Sequence, residues 1–394
     1  MAKRALIIGG GFAGCAAAHQ LHLMQGWDVT IVEASGALGA GVRTQWWGGH
    51  PHTFGPRHFL TQNEAVWAYM TALVPLRPIP EHEFYTYVER DNAFYSYPIN
   101  TSDIPLMSDA SKIEAELDDR HLCGGIFAQN LEEYWIRSVG PTLYSKMVRD
   151  YNKKMWAVDD CREIDDFGWS PKGVALKSGP RRAWDTALSG YPHAANGYDD
   201  YFALATQSAK VLLGTRVEVY NLKAKRFIIA GGLPTEFDLV VNTIAPDDFL
   251  DGLAGINLGR LPFMGRDFHR IVLPVEHALP ANTYMLYYAN SEAFTRVVEY
   301  KKFTRHSSPT TLLGLEFPSR NGKHYPMPFK AEQRRAAHYH GAMPAGVYSL
   351  GRAGSYRYGL DMDDCIEQAM QMRLELTQGG QDHPVPLAKW RTID

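Results

Sequence analysis

Apolar and polar positions alternate along this chain in two rhythms, and the change from one to the other marks out its elements. Arg4-Ala5-Leu6-Ile7-Ile8 is a short apolar run of the kind buried on both faces of a parallel sheet. Glycines follow, then an alanine-rich helix to about Met24, then a second strand over Asp28–Glu33, a βαβ unit of about thirty residues. Phe84–Val88 and Ala93–Tyr97 flank Asp91-Asn92 and predict a hairpin. From 102 to 160 the spacing is helical. Asn130 stands before Leu131 with Glu133 three positions on, a start resembling a capping box, and Leu143, Met147, Tyr151 and Met155 recur every four residues. Residues 199–230 read as a helix and two short strands, Phe237–Ile244 as another buried parallel strand, and 265–320 as an antiparallel sheet. Tyr348-Ser349-Leu350-Gly351 runs a strand into a glycine turn, and a last helix starts near Asp361 and continues to about Leu376.

Parallel strands that return after residue 235 imply an α/β protein whose Rossmann-like domain is discontinuous. The expected division gives 1–75, 196–250 and 340–394 to a dinucleotide-binding domain and 102–165 to a helical insertion. Residues 76–101, 166–195 and 251–339 make an antiparallel β-sheet domain with a mobile loop. At 394 residues the chain exceeds one core, in keeping with several packed units.

Composition removes several function classes. Hydrophobic residues make up 45% and charged residues 21%, with a net charge of −3, so no electrostatic case for nucleic-acid binding exists. No apolar run approaches the ~18 residues of a membrane span, and the N-terminus reads as a strand, not a signal peptide. The 4 cysteines are scattered without a C-x-x-C pair, which predicts reduced thiols in a cytoplasmic protein. The 15 histidines form no metal-binding spacing, so no metal is expected. The 21 tyrosines and 9 tryptophans suit a site for flat rings and sugars, although core filling accounts for most of them.

Gly9-x-Gly11-x-x-Gly14 carries the first chemistry. Gly9 permits the tight turn, Gly11 lets backbone approach a pyrophosphate, and Gly14 lets the helix close on the strand. The helix N-terminus, from Phe12, offers unpaired N–H groups to the anion. Glu33 lies nineteen residues after Gly14, where an acid holds ribose hydroxyls. Ala34-Ser35-Gly36-Ala37-Leu38-Gly39-Ala40-Gly41 then resembles the extended FAD fingerprint of glutathione-reductase-type flavoproteins, with Gly41 in place of an adjacent second glycine. FAD is therefore the expected cofactor, with Gly9, Gly11, Phe12, Gly14, Glu33, Ala34 and Gly41 around it.

Five further segments, in order along the chain, resemble UDP-galactopyranose mutases. Phe54-Gly55-Pro56-Arg57-His58-Phe59-Leu60-Thr61 is similar to that family's flavin-facing Gly-Pro-His-x-Phe-His-Thr loop, and Tyr97-Pro98-Ile99-Asn100 to its Leu-Pro-Ile-Asn. Asn130-Leu-Glu-Glu through Tyr151-Asn152-Lys153-Lys154-Met155-Trp156 resembles a family helix that ends in Tyr-Thr-x-Lys-Gln-Trp. Thr295-Arg296-Val297-Val298-Glu299-Tyr300-Lys301-Lys302-Phe303 resembles Thr-Arg-Ile-Ile-Glu-His-Lys-His-Phe. Gly351-Arg352, with Tyr356-Arg357-Tyr358 and Asp361-Met362-Asp363, resembles Gly-Arg with Tyr-Arg-Tyr-x-Asp-Met-Asp.

The resemblance implies a mutase that interconverts pyranose and furanose forms of a nucleoside-diphosphate sugar. Its FAD works only when reduced, N5 being the nucleophile at the anomeric carbon, with no net redox. It also implies roles by position. Arg352 and Arg182 match diphosphate arginines, with Arg181 a rival for the second place. Tyr151, Trp156 and Tyr358 match aromatic residues at the substrate, and Asn100 and Arg266 are further substrate candidates. Arg352, Asp361 and Met362 belong beside the cofactor, where the last helix points its N-terminus at the flavin. The loop around 171–182 is the expected lid, and a homodimer follows from the resemblance alone.

The departures concern selectivity. Arg57 and Leu60 replace the two loop histidines and His58 is shifted by one; His58 and Arg57 are the catalytic candidates here, where the family sets a histidine against the flavin face and an arginine could instead reach a sugar substituent. Phe294 replaces a tyrosine, Gly359 adds one residue before Asp361, and Met147 stands where an aromatic ring often stacks on uracil. The sugar, the base or both are therefore expected to differ from UDP-galactose. Two other readings share the N-terminal fold: a redox flavoenzyme of the amine-oxidase type, and a sugar-nucleotide-binding flavoprotein without catalysis.

Overall fold

A computed structural model describes residues 2–118, 127–171, 174–185 and 187–391. Part of the helical insertion, part of the expected lid, and Cys123 lie outside the described residues.

Five parallel strands form the cofactor-side sheet, in the order Lys210–Leu212, Trp27–Val32, Lys3–Ile8, Leu239–Asn242 and Val347–Ser349. Leu6, Ile7, Val240 and Val241 are fully buried, because helices cover both faces. The alanine-rich helix Phe12–Met24 packs on one face together with the last helix, Met362–Gln378. Helices Pro246–Ala254 and Lys330–Gly341 contribute Phe249, Leu250, Ala336 and Tyr339 to the core on the other face.

A seven-stranded sheet makes the second layer, in the order Tyr325–Pro326, Phe263–Leu273, Thr311–Ser319, Arg296–Glu299, Thr283–Tyr288, Glu83–Val88 and Ala93–Tyr97. The expected hairpin turns at Asn92, in the left-handed region at φ 47°. The sheet is mixed, however. Thr283–Tyr288 and Glu83–Val88 pair parallel, which corrects the all-antiparallel expectation. The hairpin and the 263–319 strands are separate in sequence, and period-two alternation does not record the sense in which two strands meet.

In the helical insertion Asn130 caps helix Leu131–Met147 by accepting from Glu133 N at 3.0 Å, while the Glu133 carboxylate reaches back to Gln129 N. That helix is broken at Gly140 (φ 83°) and Pro141; there Glu116, from helix Ala110–Asp118, accepts from Thr142 N at 2.9 Å and serves as a second cap. A further break at Val148 starts helix Arg149–Trp156. The four-residue stripe thus spans two helices: Leu143, Met147 and Met155 are buried, while Tyr151 is half-buried and faces a cleft.

After Gly379 the chain turns back. Pro384 O accepts from Ser349 N at 2.7 Å, and Trp390 returns to the N-terminal end of the last helix, donating from Nε1 to Asp364 at 3.0 Å. Among the described residues no helix is long and apolar enough to cross a membrane.

Candidate active site

The dinucleotide loop is built as its glycines require. Gly9 has φ +101°, and a Cβ on Gly14 would stand 2.0 Å from Gly9 O, so the helix meets the strand backbone to backbone. Gly11 differs. Its backbone is extended, and a Cβ there would find only the Ala40 Cβ, at 3.7 Å. Nothing in the protein demands glycine at this position, whereas an anion lying against the backbone does. No side chain caps the helix that starts at Phe12, so its first N–H groups stay available. Glu33 accepts from Gly10 N and Ser35 N, each at 2.7 Å, which fixes its carboxylate at the end of the second strand. The Phe12 ring turns into the core and stacks on Tyr201 at 4.7 Å, so only its backbone faces the loop. Ala34 is exposed beside Glu33, and a Cβ on Gly41 would lie 3.6 Å from Arg57 Nη2. These residues fit a dinucleotide whose pyrophosphate rests on Gly11 and the helix N-terminus.

Gly351 ties this loop to a second feature: its Cβ position lies 2.7 Å from the Ala13 Cβ, so Arg352 is fixed against the dinucleotide helix. Arg352 donates to Leu360 O at 2.9 Å and to Asp361 at 2.7 Å, and its Cζ faces the rings of Tyr325 and Tyr358 at 5.4 and 5.7 Å. Arg266 also stands over the Tyr325 ring, with Cζ 4.8 Å from its centre. The buried Glu316 carboxylate binds both Arg266 and Arg296. Burial lowers the Arg266 pKa; for Arg296 and Arg352 it works the same way, but tyrosines around Arg296 and the carboxylate of Asp361 beside Arg352 leave both raised. Burial pushes the Tyr325 phenol up, but Arg266, Arg57, Arg352 and Arg296 outweigh it and bring it to about 7. Burial, with Arg266, Arg57 and Arg352, holds His324 down at about 4.

A cleft of about 730 Å³ opens next to this cluster. Trp135, Met147, Tyr151 and Asn152 line it from the helical part, Thr86, Tyr97 and Tyr287 from the sheet, and Arg352, Tyr358 and Asp361 from the cofactor side. Segment Asp166–Pro171 closes one end, with Trp135 Nε1 donating to Ser170 Oγ at 3.1 Å. Burial raises the phenols of Tyr97, Tyr151 and Tyr358 and keeps them neutral. Such a cleft presents aromatic walls with Arg352, Arg357 and Lys389 on its lining, which suits an aromatic or sugar ring joined to an anion.

Of the residues picked out by sequence, Arg352, Tyr151, Tyr358 and Asp361 come together at this cleft. Met362 opens the last helix beside them. Trp156 is fully buried behind Tyr358, edge-on at 4.6 Å, and supports that ring without facing the cleft. Asn100 is buried too; it caps the turn that follows and donates to Gly179 O at 3.1 Å, so it anchors the loop. Arg182 lies outside the cleft, bridged to Glu83 and paired with Asp185 at 3.0 Å, and Arg181 pairs with Asp103. Arg266 lies behind Tyr325. His58 packs between Phe303 and His82, away from the cleft, while Arg57 points towards the cluster.

Tyr325, Glu316, Lys389 and Trp390 carried no assignment from sequence. A single Tyr-Pro pair and a lone Glu in a strand leave no local signature, and the return of Lys389 and Trp390 to the cleft depends on a turn at Gly379. Arg296 lay in a segment already matched, and its pairing with Glu316 was the missing part.

A family model described as UDP-galactopyranose mutase matches residues 146–358, more than half of the chain. The chain belongs to the UDP-galactopyranose mutase family. A model of an NAD(P)-binding Rossmann-like domain matches residues 7–73. A protein named "Probable UDP-galactopyranose mutase" from Klebsiella pneumoniae is 25% identical over 94% of this chain and 93% of its own. The dTDP-fucopyranose mutase of Escherichia coli is also 25% identical, over 94% of this chain and 97% of its own. A crystal structure of reduced UDP-galactopyranose mutase shares the fold, with a TM-score of 0.79 at 16% identity over 96% of this chain and 95% of that one. Arg352, Tyr151 and Tyr358 all lie within the stretch matched to the family.

Proposed function

We propose that this protein interconverts pyranose and furanose forms of a nucleoside-diphosphate sugar with FAD as its cofactor. One observation carries the reading: Gly351 seats Arg352 on the dinucleotide-binding helix, so a cleft cation and a pyrophosphate cradle are adjacent. This adjacency supports a reading in which a cofactor and an anionic substrate lie side by side.

When bound, reduced FAD supplies a nucleophilic N5 for the anomeric carbon, with no net redox. The chain's own residues do the rest. Arg352, held by Leu360 O and Asp361, meets the diphosphate, whose negative charge grows as it leaves the sugar. Glu316 keeps Arg266 and Arg296 in place, so their field needs no rearrangement during the reaction. Met147, Tyr151 and Asn152 hold the nucleoside end, and Tyr358, backed by Trp156, shields the reacting bond from water. The division into cofactor, helical and sheet parts, a closing loop around 171–182, a homodimer and a cytoplasmic setting belong to the same proposal.

The sugar is left to experiment, because the two curated relatives are named for different ones and Met147 and Arg57 change the family pattern. Dithionite-reduced protein, incubated without oxygen with UDP-, TDP- and GDP-hexopyranoses, is expected to form a furanose from at least one. Binding without furanose from any of them rejects the reading.

A further inference from the structure

Arg57 is the member of the arginine cluster with no carboxylate at ion-pair distance among the described residues, Asp361 acting on it only from farther off. Arg266 and Arg296 share Glu316, and Arg352 has Asp361. The Arg57 Nε is shut off from solvent and makes no hydrogen bond. Nor is the residue a free surface arm. Tyr198 Oη donates to its carbonyl at 2.6 Å, and Tyr300 Oη accepts from Gly55 N two residues earlier at 3.2 Å. Its tip reaches the Gly41 stretch of the dinucleotide fold, and the charges of Arg352 and Arg296 act against it. The Tyr325 phenol and the Asp361 carboxylate favour it, but all four guanidiniums share that phenol and Asp361 is paired with Arg352.

A cation in this position destabilises the fold that holds it, because desolvation and like charges are answered by no ion pair. Such an arrangement is consistent with an anion that arrives from outside. We propose that Arg57 is a ligand-binding residue, kept unpaired in the ligand-free protein to take a diphosphate oxygen from a bound nucleotide. Its Nη2 lies 3.6 Å from the Cβ position of Gly41 in the dinucleotide fold and the charge of the cleft cation Arg352 acts on it, so two sources share that chemistry: the cofactor's pyrophosphate and the substrate's diphosphate. The inference rests on the proposed function only in that a nucleotide binds here. A fixed guanidinium in place of a titrating imidazole also makes this contact independent of pH across the neutral range.

The experiment uses Arg57→Met and Arg57→Lys in the full chain. Melting is followed on protein freed of nucleotide, UDP affinity by calorimetry on the FAD-loaded protein, and FAD release on dilution. Arg57→Met is expected to raise the ligand-free Tm by roughly 1–3 °C. It should weaken either UDP or FAD at least about tenfold, and the one weakened names the source. Arg57→Lys should keep part of the affinity, since it keeps the charge. A lowered Tm for Arg57→Met with both affinities within about twofold overturns the inference and makes Arg57 structural; unchanged Tm and unchanged affinities overturn it equally. Wild-type protein that binds FAD but no UDP or other nucleoside diphosphate speaks against the proposed function, and the FAD arm still decides the role of Arg57.

Discussion

Arg266 and Arg352 both face the ring of Tyr325, with Cζ atoms 4.8 and 5.4 Å from its centre. Their charges, with those of Arg57 and Arg296, bring the phenol to about 7 from its ordinary value near 10. The folded-state value is depressed, so the stabilisation is complete above pH 10 and disappears as the pH falls through 7. Tyrosinate absorbance should titrate with a midpoint near 7 in wild type and lose that phase in Tyr325→Phe. The Tm difference between the two proteins should grow from pH 6 to pH 9. A bound diphosphate competes for the same cations and should raise the midpoint. A first tyrosine titration only above pH 9 contradicts the geometry.

Glu316 is fully buried and is the carboxylate that both Arg266 and Arg296 use. Glu316→Gln leaves two guanidiniums without their anion, and the cost should be about 3–5 kcal/mol. Urea denaturation is expected to show this loss as a lower midpoint at unchanged m. A loss below about 1 kcal/mol would mean that water or another group already answers those charges.

Gly11→Ala and Gly14→Ala separate cofactor binding from folding. Alanine at 14 drives its Cβ into Gly9 O, so soluble yield and Tm should fall sharply. Alanine at 11 meets only ordinary contact with Ala40, so ligand-free melting should move by less than about 0.5 kcal/mol equivalent. Bound FAD per chain, read from its absorbance, should nevertheless be lost.

Arg352→Ala removes a cation that the cleft displays and that Asp361 orients. We expect kcat/KM for furanose formation to fall by about 10²–10³ with FAD still bound. Arg352→Lys should recover only part of this, since one ammonium cannot reproduce the two bonds to Leu360 O and Asp361.

The sequence made the dinucleotide loop legible because its constraints are local. Gly14 and Glu33 answer to neighbours on one βαβ unit, and Gly9 to its own positive φ as well as to Thr243 beyond that unit, so spacing records them. Arg352, Tyr151 and Tyr358 were reached by resemblance, since their motifs are short and nearly contiguous. Glu316 and Tyr325 were not reached, because each acts through partners on other strands that no periodicity links to them. Trp156 and Asn100 are matched positions whose side chains are buried, one against Tyr358 and the other under the loop at Gly179. The parallel junction between Thr283–Tyr288 and Glu83–Val88 escaped for the same reason as Glu316: strand patterns specify faces, not partners.

The interleaved order of the parallel sheet also bears on biosynthesis. Lys3–Ile8 pairs with Leu239–Asn242, which pairs with Val347–Ser349, and Gly351 closes on Ala13. The glycine signature is therefore made well before its cradle can close, since that cradle stays open until residue 351 has been added. At ~5–20 residues per second that delay is roughly 20–70 s. Throughout it the nascent chain exposes an unfinished sheet edge, and the proposed cofactor site is complete only once residue 351 has been added.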